Sequence, residues 1–260
     1  MWAASSRSDR GLRLMSDLDI VVRPDQIDIA VDHLKAIGYT VDYQTDGRHK
    51  KWSADLKRPQ DAGMIDLQQE LPWHDLFNRT PADLTSHLQP IRVGEALALI
   101  PTPELQALIL IIHDQFQDYD YWTGNIDLRH LLDLRTLIAT PATTQWQLLS
   151  SMIPNALARN AIETQLMLLA TLFGVGWPAG WRKQLVPRIQ VWRKLLQARV
   201  PATRYLLLST GFLDFRKFPR ASASSFVPGP PRKYSSRWFP KFTTLLFLTS
   251  LSRKYRPGKL

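Results

Sequence analysis

The chain of 260 residues contains no cysteine and no long apolar run. Without cysteine there are no disulfide bonds, no thiolate metal ligands and no cysteine nucleophile, and an oxidising compartment is not indicated. The most apolar stretches, at 105–112 and 243–251, are much shorter than the ~20 residues that span a bilayer. The N-terminal residues also lack the apolar core of a signal peptide. We therefore expect a cytoplasmic protein that is not embedded in a membrane.

Acidic residues are missing from the C-terminal end, which changes the meaning of the net charge of +10. Residues 1–181 carry 15 Lys and Arg against 22 Asp and Glu, a net charge of −7. Residues 182–260 carry 18 basic residues against one acid, Asp214, a net charge of +17. A uniformly basic chain would suggest a nucleic-acid-binding protein. Here an acidic body precedes a basic C-terminal region, and the two regions need separate explanations.

The spacing of apolar residues predicts an α+β fold. A strand rich in β-branched residues at 16–23 ends before Pro24, and a helix with apolar residues at helical spacing follows it up to Gly38. Three further strands are predicted at 39–43, 51–56 and 64–70. Three consecutive strands after a single helix indicate a mixed or antiparallel sheet.

From Pro103 onward helical periodicity dominates, so we divide the chain into three parts. Residues 1–100 form the predicted α+β domain and residues 101–215 a helical subdomain. Residues 216–260 form a basic tail that is rich in Pro, Ser and aromatic residues. In the helical part, His113 is interpreted as a core histidine on an apolar helix. The acidic residues Asp118, Asp120 and Asp127 are interpreted as an exposed loop between helices.

The candidate site residues are three carboxylates in the predicted sheet. Asp17 and Asp19 are two residues apart in the first strand, so both side chains project from the same face. Asp66 lies in a later strand, which would bring it beside the pair if the two strands are neighbours. The alternate positions of the first strand should enter the core: Leu18, Ile20 and Val22.

Three carboxylates that gather without a fixed positive partner repel one another, and a hard cation such as Mg²⁺ relieves that repulsion. The chemistry that such a site favours is phosphoryl or nucleotidyl transfer, in which metal ions stabilise the attacking and leaving oxygens. An Asp-x-Asp pair is also typical of a solvated strand end or turn. Both interpretations of the pair remain open on the residues alone.

Several segments resemble the uncharacterised nucleotidyltransferase family of bacteria, within the DNA polymerase beta-like nucleotidyltransferase superfamily. They are RLMSDLDIVV at 13–22, IGY at 37–39, IDL at 65–67, LILIIH at 108–113 and LLDL at 131–134. The resemblance implies a nucleotidyltransferase fold in which Asp17 and Asp19 match the metal-binding pair. It implies that Asp66 is the third carboxylate, which helps to bind the metal and accepts the proton of the attacking hydroxyl.

The same resemblance implies Mg²⁺ or Mn²⁺ as cofactor, an NTP as substrate and a hydroxyl group on a small molecule, a protein or an RNA as acceptor. Arg13 matches an arginine that would approach the triphosphate, although a surface arginine beside an acidic strand remains an alternative. Family members carry a Gly-rich turn before the Asp-x-Asp strand, which would cradle phosphates. Here 16 residues precede Asp17, and Gly11 is the sole glycine among them. A second hypothesis is therefore a catalytically degenerate member that acts as a binding or regulatory module.

The tail at 216–260 combines basic residues with aromatic ones and a short apolar segment at 245–248. This composition suits an anionic membrane surface or an acidic partner, which would make the protein membrane-peripheral. Stacking on nucleic acid is also compatible with it but is less favoured, because the segment at 245–248 is more apolar than stacking requires. A basic extension without a dedicated partner is the third interpretation.

Overall fold

The computed structural model describes residues 17–45, 52–69, 84–138, 146–153, 155–178 and 181–207. The chain divides into two compact units, residues 1–72 and 73–260. The predicted α+β class is confirmed, because a mixed sheet with one helix is followed by a hairpin and a series of helices. The division at residues 100 and 215 stays a prediction, and the tail at 216–260 lies outside the described residues.

The first unit is a four-stranded mixed sheet with one helix. Its strand order is β1-β4-β3-β2, with β1 parallel to β4 and the other neighbouring strands antiparallel. The strands and the helix lie where the sequence predicts them, with ends that differ by at most three residues. The elements are β1 (Asp17–Val21), α1 (Ile27–Ala36), β2 (Thr40–Gln44), β3 (Ser53–Lys57) and β4 (Met64–Gln68).

The apolar face of this sheet packs against α1. Pro24 begins a turn that leads into α1, and Gly38, with a φ of 95°, allows the chain to leave the helix in a left-handed conformation. The core consists of five buried residues: Val31, Ala54, Leu56, Ile65 and Leu67. Ile20 and Val22 pack against this core as expected. Leu18 does not, since it is 49% exposed on the edge strand β1.

The second unit begins with a hairpin and continues with helices. A turn at Gly94, with a φ of 61°, joins the two antiparallel strands. None of the helices in the described ranges has both the length and the apolar character that crossing a bilayer requires. The elements are β5 (Leu88–Val93), β6 (Ala96–Pro101), α2 (Pro103–Ile112), α3 (Asp120–Thr123), α4 (Leu128–Ile138), α5 (Trp146–Ser151), α6 (Ala156–Phe173), α7 (Leu185–Arg199) and α8 (Arg204–Leu207).

The helices of the second unit enclose an apolar core. Its fully buried members include Leu105, Leu108, Ile111, Ile112, Leu131, Ile162 and Leu169. The long helix α6 is capped at its N-terminus by Asn155, whose side chain accepts a hydrogen bond from the Ala158 amide (2.9 Å), and at its C-terminus by Gly174. After α2 the helix widens to a π turn at His113–Gln117, closed by a bond from the Asp118 amide to the His113 carbonyl oxygen (2.9 Å).

Two buried cations on α7 hold the short helix α3. Lys194 Nζ donates to the carbonyl oxygens of Asp120 (2.6 Å) and Asn125 (2.7 Å). Arg193 donates to the carbonyl oxygens of Trp122 (2.9 Å) and Tyr121 (2.5 Å). Burial lowers the pKa of Lys194 to about 8, although the charge of Asp120 works against this effect. Cations near the C-terminal end of a helix interact favourably with its carbonyl groups, including that of Asp120, which also accepts a bond from the Gly124 amide (3.1 Å).

Candidate functional site

The polar face of the first unit brings the predicted carboxylates together. Asp17 and Asp19 share this face of β1, and the parallel register sets Asp19 directly beside Asp66 on β4. Asp17 lies beside Met64 in the same register. The strands that carry Asp19 and Asp66 are therefore neighbours, as the prediction required, because β4 pairs with β1 as well as with β3.

Gln68 connects the two neighbouring carboxylates. Its Nε2 atom donates to Asp19 Oδ1 (3.1 Å) and to Asp66 Oδ2 (2.6 Å). Gln68 is two residues after Asp66 on β4, so the two side chains share one face of the sheet. One amide group within reach of both carboxylates shows that their oxygen atoms lie close together.

The electrostatics of this face favour a positive charge. Partial burial, followed by the charges of Asp66 and Asp17, raises the pKa of Asp19 to about 6. The Oδ1 atom of Asp66 is buried and has no hydrogen-bond partner among the described residues. A buried carboxylate oxygen without a donor is costly, and a bound cation would remove that cost.

Asp55 is a fourth carboxylate on the same face, and the sequence argument did not select it. It lies on β3 directly opposite Asp66 in the antiparallel register. Burial, and then the charge of Asp66, raises the pKa of Asp55 above its ordinary value. The alternation of buried Ala54 and Leu56 around Asp55 could have indicated its face. Arg13, the predicted nucleotide-binding residue, lies outside the described residues.

A second polar cluster lies in the second unit, around the π turn and the start of α4. His130 Nδ1 lies 3.1 Å from Asp114 Oδ1 and 3.8 Å from Asp127 Oδ2. His113 Nδ1 lies 3.6 Å from Asp118 Oδ2, and the rings of His113 and His130 are 5.5 Å apart at 83°. Burial lowers the pKa of His130, but the hydrogen bond and the charge of Asp114 outweigh this effect, so that its pKa is raised.

This cluster corrects two interpretations made from the sequence. The acidic residues do not form an exposed loop, since Asp120 is 1% exposed and Asp118 and Asp127 are partly buried. His113 is not a core histidine, because its side chain is 39% exposed. Among the described residues, potential metal-ligand atoms lie within 4.8 Å of one another in two groups, His113–Asp118–His130 and Asp114–Asp127–His130.

A sheet that carries paired carboxylates on one face, with a helical unit after it, is the arrangement expected for a nucleotidyltransferase. The family model of the uncharacterised nucleotidyltransferases matches residues 3–174, and the chain belongs to this family. The resemblance inferred from the sequence is thereby confirmed, and the match reaches Gly174, where α6 ends. No curated protein and no solved structure matches the chain.

Proposed function

We propose that this chain is a metal-dependent nucleotidyltransferase that moves a nucleoside monophosphate group from an NTP to a hydroxyl acceptor. The acceptor would be a small molecule, a protein or an RNA. The observation that carries the proposal is the position of Asp19 beside Asp66 on neighbouring parallel strands, in a chain of a nucleotidyltransferase family. Asp17, Asp19 and Asp66 would hold Mg²⁺ or Mn²⁺, and the ion would stabilise negative charge on the phosphate oxygens.

The donor set of this sheet face suits a hard cation. All three proposed ligands are carboxylates, and Mg²⁺ and Mn²⁺ prefer oxygen ligands. Two observations support a cation at this place: the repulsion that contributes to the raised pKa of Asp19, and the buried Oδ1 atom of Asp66, which has no hydrogen-bond partner in the described part of the chain. In the described part of this face, the amide of Gln68 is the neutral donor that contacts both Asp19 and Asp66.

In the proposed reaction the oxygen of the acceptor hydroxyl forms a bond to the α-phosphorus. The bond from that phosphorus to the bridging oxygen of the β-phosphate breaks, and pyrophosphate leaves with the electron pair. The hydroxyl proton passes to Asp66, which acts as general base. Arg13 would approach the triphosphate.

A transfer assay tests the proposal directly. The full chain is incubated with each of the four α-labelled NTPs, Mg²⁺ or Mn²⁺ and a cell extract as the source of acceptors, and labelled product and pyrophosphate are measured. Asp19→Asn and Asp66→Asn should abolish transfer. Asp32→Asn, which removes an exposed carboxylate from α1, should leave transfer unchanged.

The competing hypothesis makes a different prediction in the same experiment. A catalytically degenerate member would bind an NTP, or a partner, without producing labelled product or pyrophosphate under any of the conditions. Transfer that persists in both Asp19→Asn and Asp66→Asn would refute the assignment of the site.

For residues 216–260 we keep the proposal of an anionic membrane surface or an acidic partner, which the basic and aromatic composition supports. Cosedimentation of the full chain with vesicles of phosphatidylserine, but not of phosphatidylcholine, is the expected result for the membrane. The binding should weaken as salt is added, because counterions screen the attraction. Equal binding to both kinds of vesicle would contradict an electrostatic role for the tail.

A further inference from the structure

We propose that the second unit contains a separate site for a divalent transition-metal ion of the zinc class, with His113, Asp118 and His130 as its ligands. These residues offer one nitrogen or oxygen atom each, and the three atoms lie within 4.8 Å of one another. Two imidazoles and a carboxylate prefer Zn²⁺, Co²⁺ or Fe²⁺ to the Mg²⁺ that suits the carboxylates of the sheet. The proposal does not depend on nucleotidyl transfer, since its residues all lie after residue 72.

The distance between His113 and Asp118 suits two ligands of one ion. Their Nδ1 and Oδ2 atoms are 3.6 Å apart, which is too long for a good hydrogen bond. Two ligands of a tetrahedral zinc ion, with bonds of ~2.0–2.1 Å, lie about 3.4 Å apart. Small side-chain movements would therefore be enough to close the group around an ion.

The π turn explains how residues five apart in the chain can share a site. In an α-helix, side chains at positions i and i+5 lie about 140° apart around the axis. The bond from the Asp118 amide to the His113 carbonyl oxygen closes a wider turn, which brings the two side chains closer together. Asp127 accepts bonds from the Arg129 (2.9 Å) and His130 (3.2 Å) amides and so fixes the start of α4, which carries His130.

Buried polar groups surround His130 as they commonly surround a metal-binding histidine. Asp114 is 1% exposed, and its Oδ1 atom lies 3.1 Å from His130 Nδ1. A carboxylate behind a ligating histidine orients the ring and makes it a better ligand. The amides of Gln115 and Gln165 both donate to Asp114 Oδ2.

Gln115 and Gln165 hold the Asp114 carboxylate in place behind His130. Both side chains are buried, at 0% and 3% exposure, and both are directed at Asp114 in the cluster. Because both amides donate to Oδ2, the carboxylate is fixed in the orientation in which its Oδ1 atom lies 3.1 Å from His130 Nδ1.

The outer side chains of the cluster are partly exposed, although the His113 Nδ1 atom is itself buried and an ion reaches it only with the small side-chain movements described above. The side chains of His113 and Asp118 are 39% and 23% exposed, whereas that of Asp114 behind them is 2% exposed. Three protein ligands with one side open to solvent leave a position for water or another ligand.

The test uses the full chain after treatment with a chelator. Titration calorimetry with Zn²⁺, in excess Mg²⁺ to occupy the carboxylates of the sheet, should show one site, and Co²⁺ under the same conditions should give the visible absorption of a site with nitrogen ligands. His113→Gln and Asp118→Asn should each weaken Zn²⁺ binding at least tenfold and remove the Co²⁺ absorption. Asp114→Asn should weaken binding by roughly 10- to 100-fold, the range observed when the partner of a ligating histidine is lost.

Two control variants separate this site from other histidines and from the sheet. His33→Gln changes an exposed histidine on α1, and it should bind Zn²⁺ as the natural chain does. Asp19→Asn should abolish nucleotidyl transfer but leave Zn²⁺ binding intact. The proposal is overturned if the full chain binds no Zn²⁺, if His113→Gln binds it unchanged, or if excess Mg²⁺ displaces it. The last outcome would assign the ion to the carboxylates of the sheet.

Discussion

The fully buried Lys194 gives a prediction whose size can be worked out from the structure. Burial lowers its pKa from 10.5 to about 8, and one pKa unit corresponds to about 1.4 kcal/mol. Keeping the ammonium group inside the second unit therefore costs about 3 kcal/mol at neutral pH, relative to the unfolded chain. Between pH 8 and pH 10.5 the unfolded chain holds this proton and the folded chain does not. The free energy of unfolding should accordingly rise over that range, by about 3 kcal/mol.

Lys194→Met removes this pH dependence together with two hydrogen bonds to the carbonyl oxygens of Asp120 and Asn125. Urea unfolding of the natural chain and the variant, measured from pH 7 to pH 10.5, gives the comparison. The advantage of the natural chain over Lys194→Met should grow by about 3 kcal/mol across this range. Lys35→Met, which removes an exposed lysine from α1, should show no such growth. Parallel pH curves for the natural chain and Lys194→Met, or NMR titration of the Lys194 side chain near pH 10.5, would refute the reasoning.

Three further predictions concern single side chains. Gly124→Ala should destabilise the protein more than Gly174→Ala, although both glycines have a positive φ. A Cβ atom at residue 124 would lie 1.9 Å from Gln197 Oε1, whereas a Cβ atom at residue 174 would meet no atom within 4 Å. Thermal melting of the two variants measures the difference, and equal losses would contradict the contact. Leu67→Ala, in the core of the first unit at 1% exposure, should cost about 2–5 kcal/mol in urea unfolding. Burial and neighbouring acids raise the pKa of Asp55 in the folded chain, so the free energy of unfolding should fall as the pH rises from the ordinary pKa of an aspartate through this raised pKa. Asp55→Asn should flatten that fall in urea unfolding at a series of pH values. An unchanged pH profile would contradict the prediction.

The first unit could be predicted largely from its sequence because local patterns determine its elements. The β-branched strand, Pro24, the helical spacing of apolar residues and Gly38 are all local signals. The neighbour of each strand is not a local property. That β4 lies between β1 and β3 depends on packing, and this order is what places Asp55 in the same row as Asp66 and Asp19. The fourth carboxylate was missed for that reason.

The hairpin at the start of the second unit was missed because its residues are poor strand formers. Pro90 cannot donate to a neighbouring strand, and Ala96 and Ala98 have low strand propensity. The two strands nevertheless pair along their whole length, and Gly94 supplies the left-handed turn between them. A glycine between two short alternating segments was the available signal.

The burial of Asp120 was misjudged because Lys194, the cation whose charge interacts with it, is distant in the sequence. Asp118, Asp120 and Asp127 are typical of an exposed loop when only neighbouring residues are considered. Lys194 and Arg193, about 70 residues away on α7, donate to carbonyl oxygens of this segment and so allow its burial. Pairing across such a separation cannot be inferred from composition or periodicity.

The carboxylate face of the sheet is better explained by function than by stability. Placing Asp19, Asp66 and Asp55 in one row brings like charges onto adjacent strands, which is unfavourable. Lysine or threonine at any of these positions would relieve the repulsion without disturbing the apolar face. Lys57 shows that this sheet accommodates such a residue, since it pairs with Asp42 at 2.6 Å near the end of β3. The cost persists at the centre of the face, where Asp66, the third carboxylate of the proposed site, has a buried oxygen that receives no hydrogen bond from the residues the structure describes. A bound cation would turn this unfavourable row into a favourable one, and the proposed nucleotidyl transfer would require that cation.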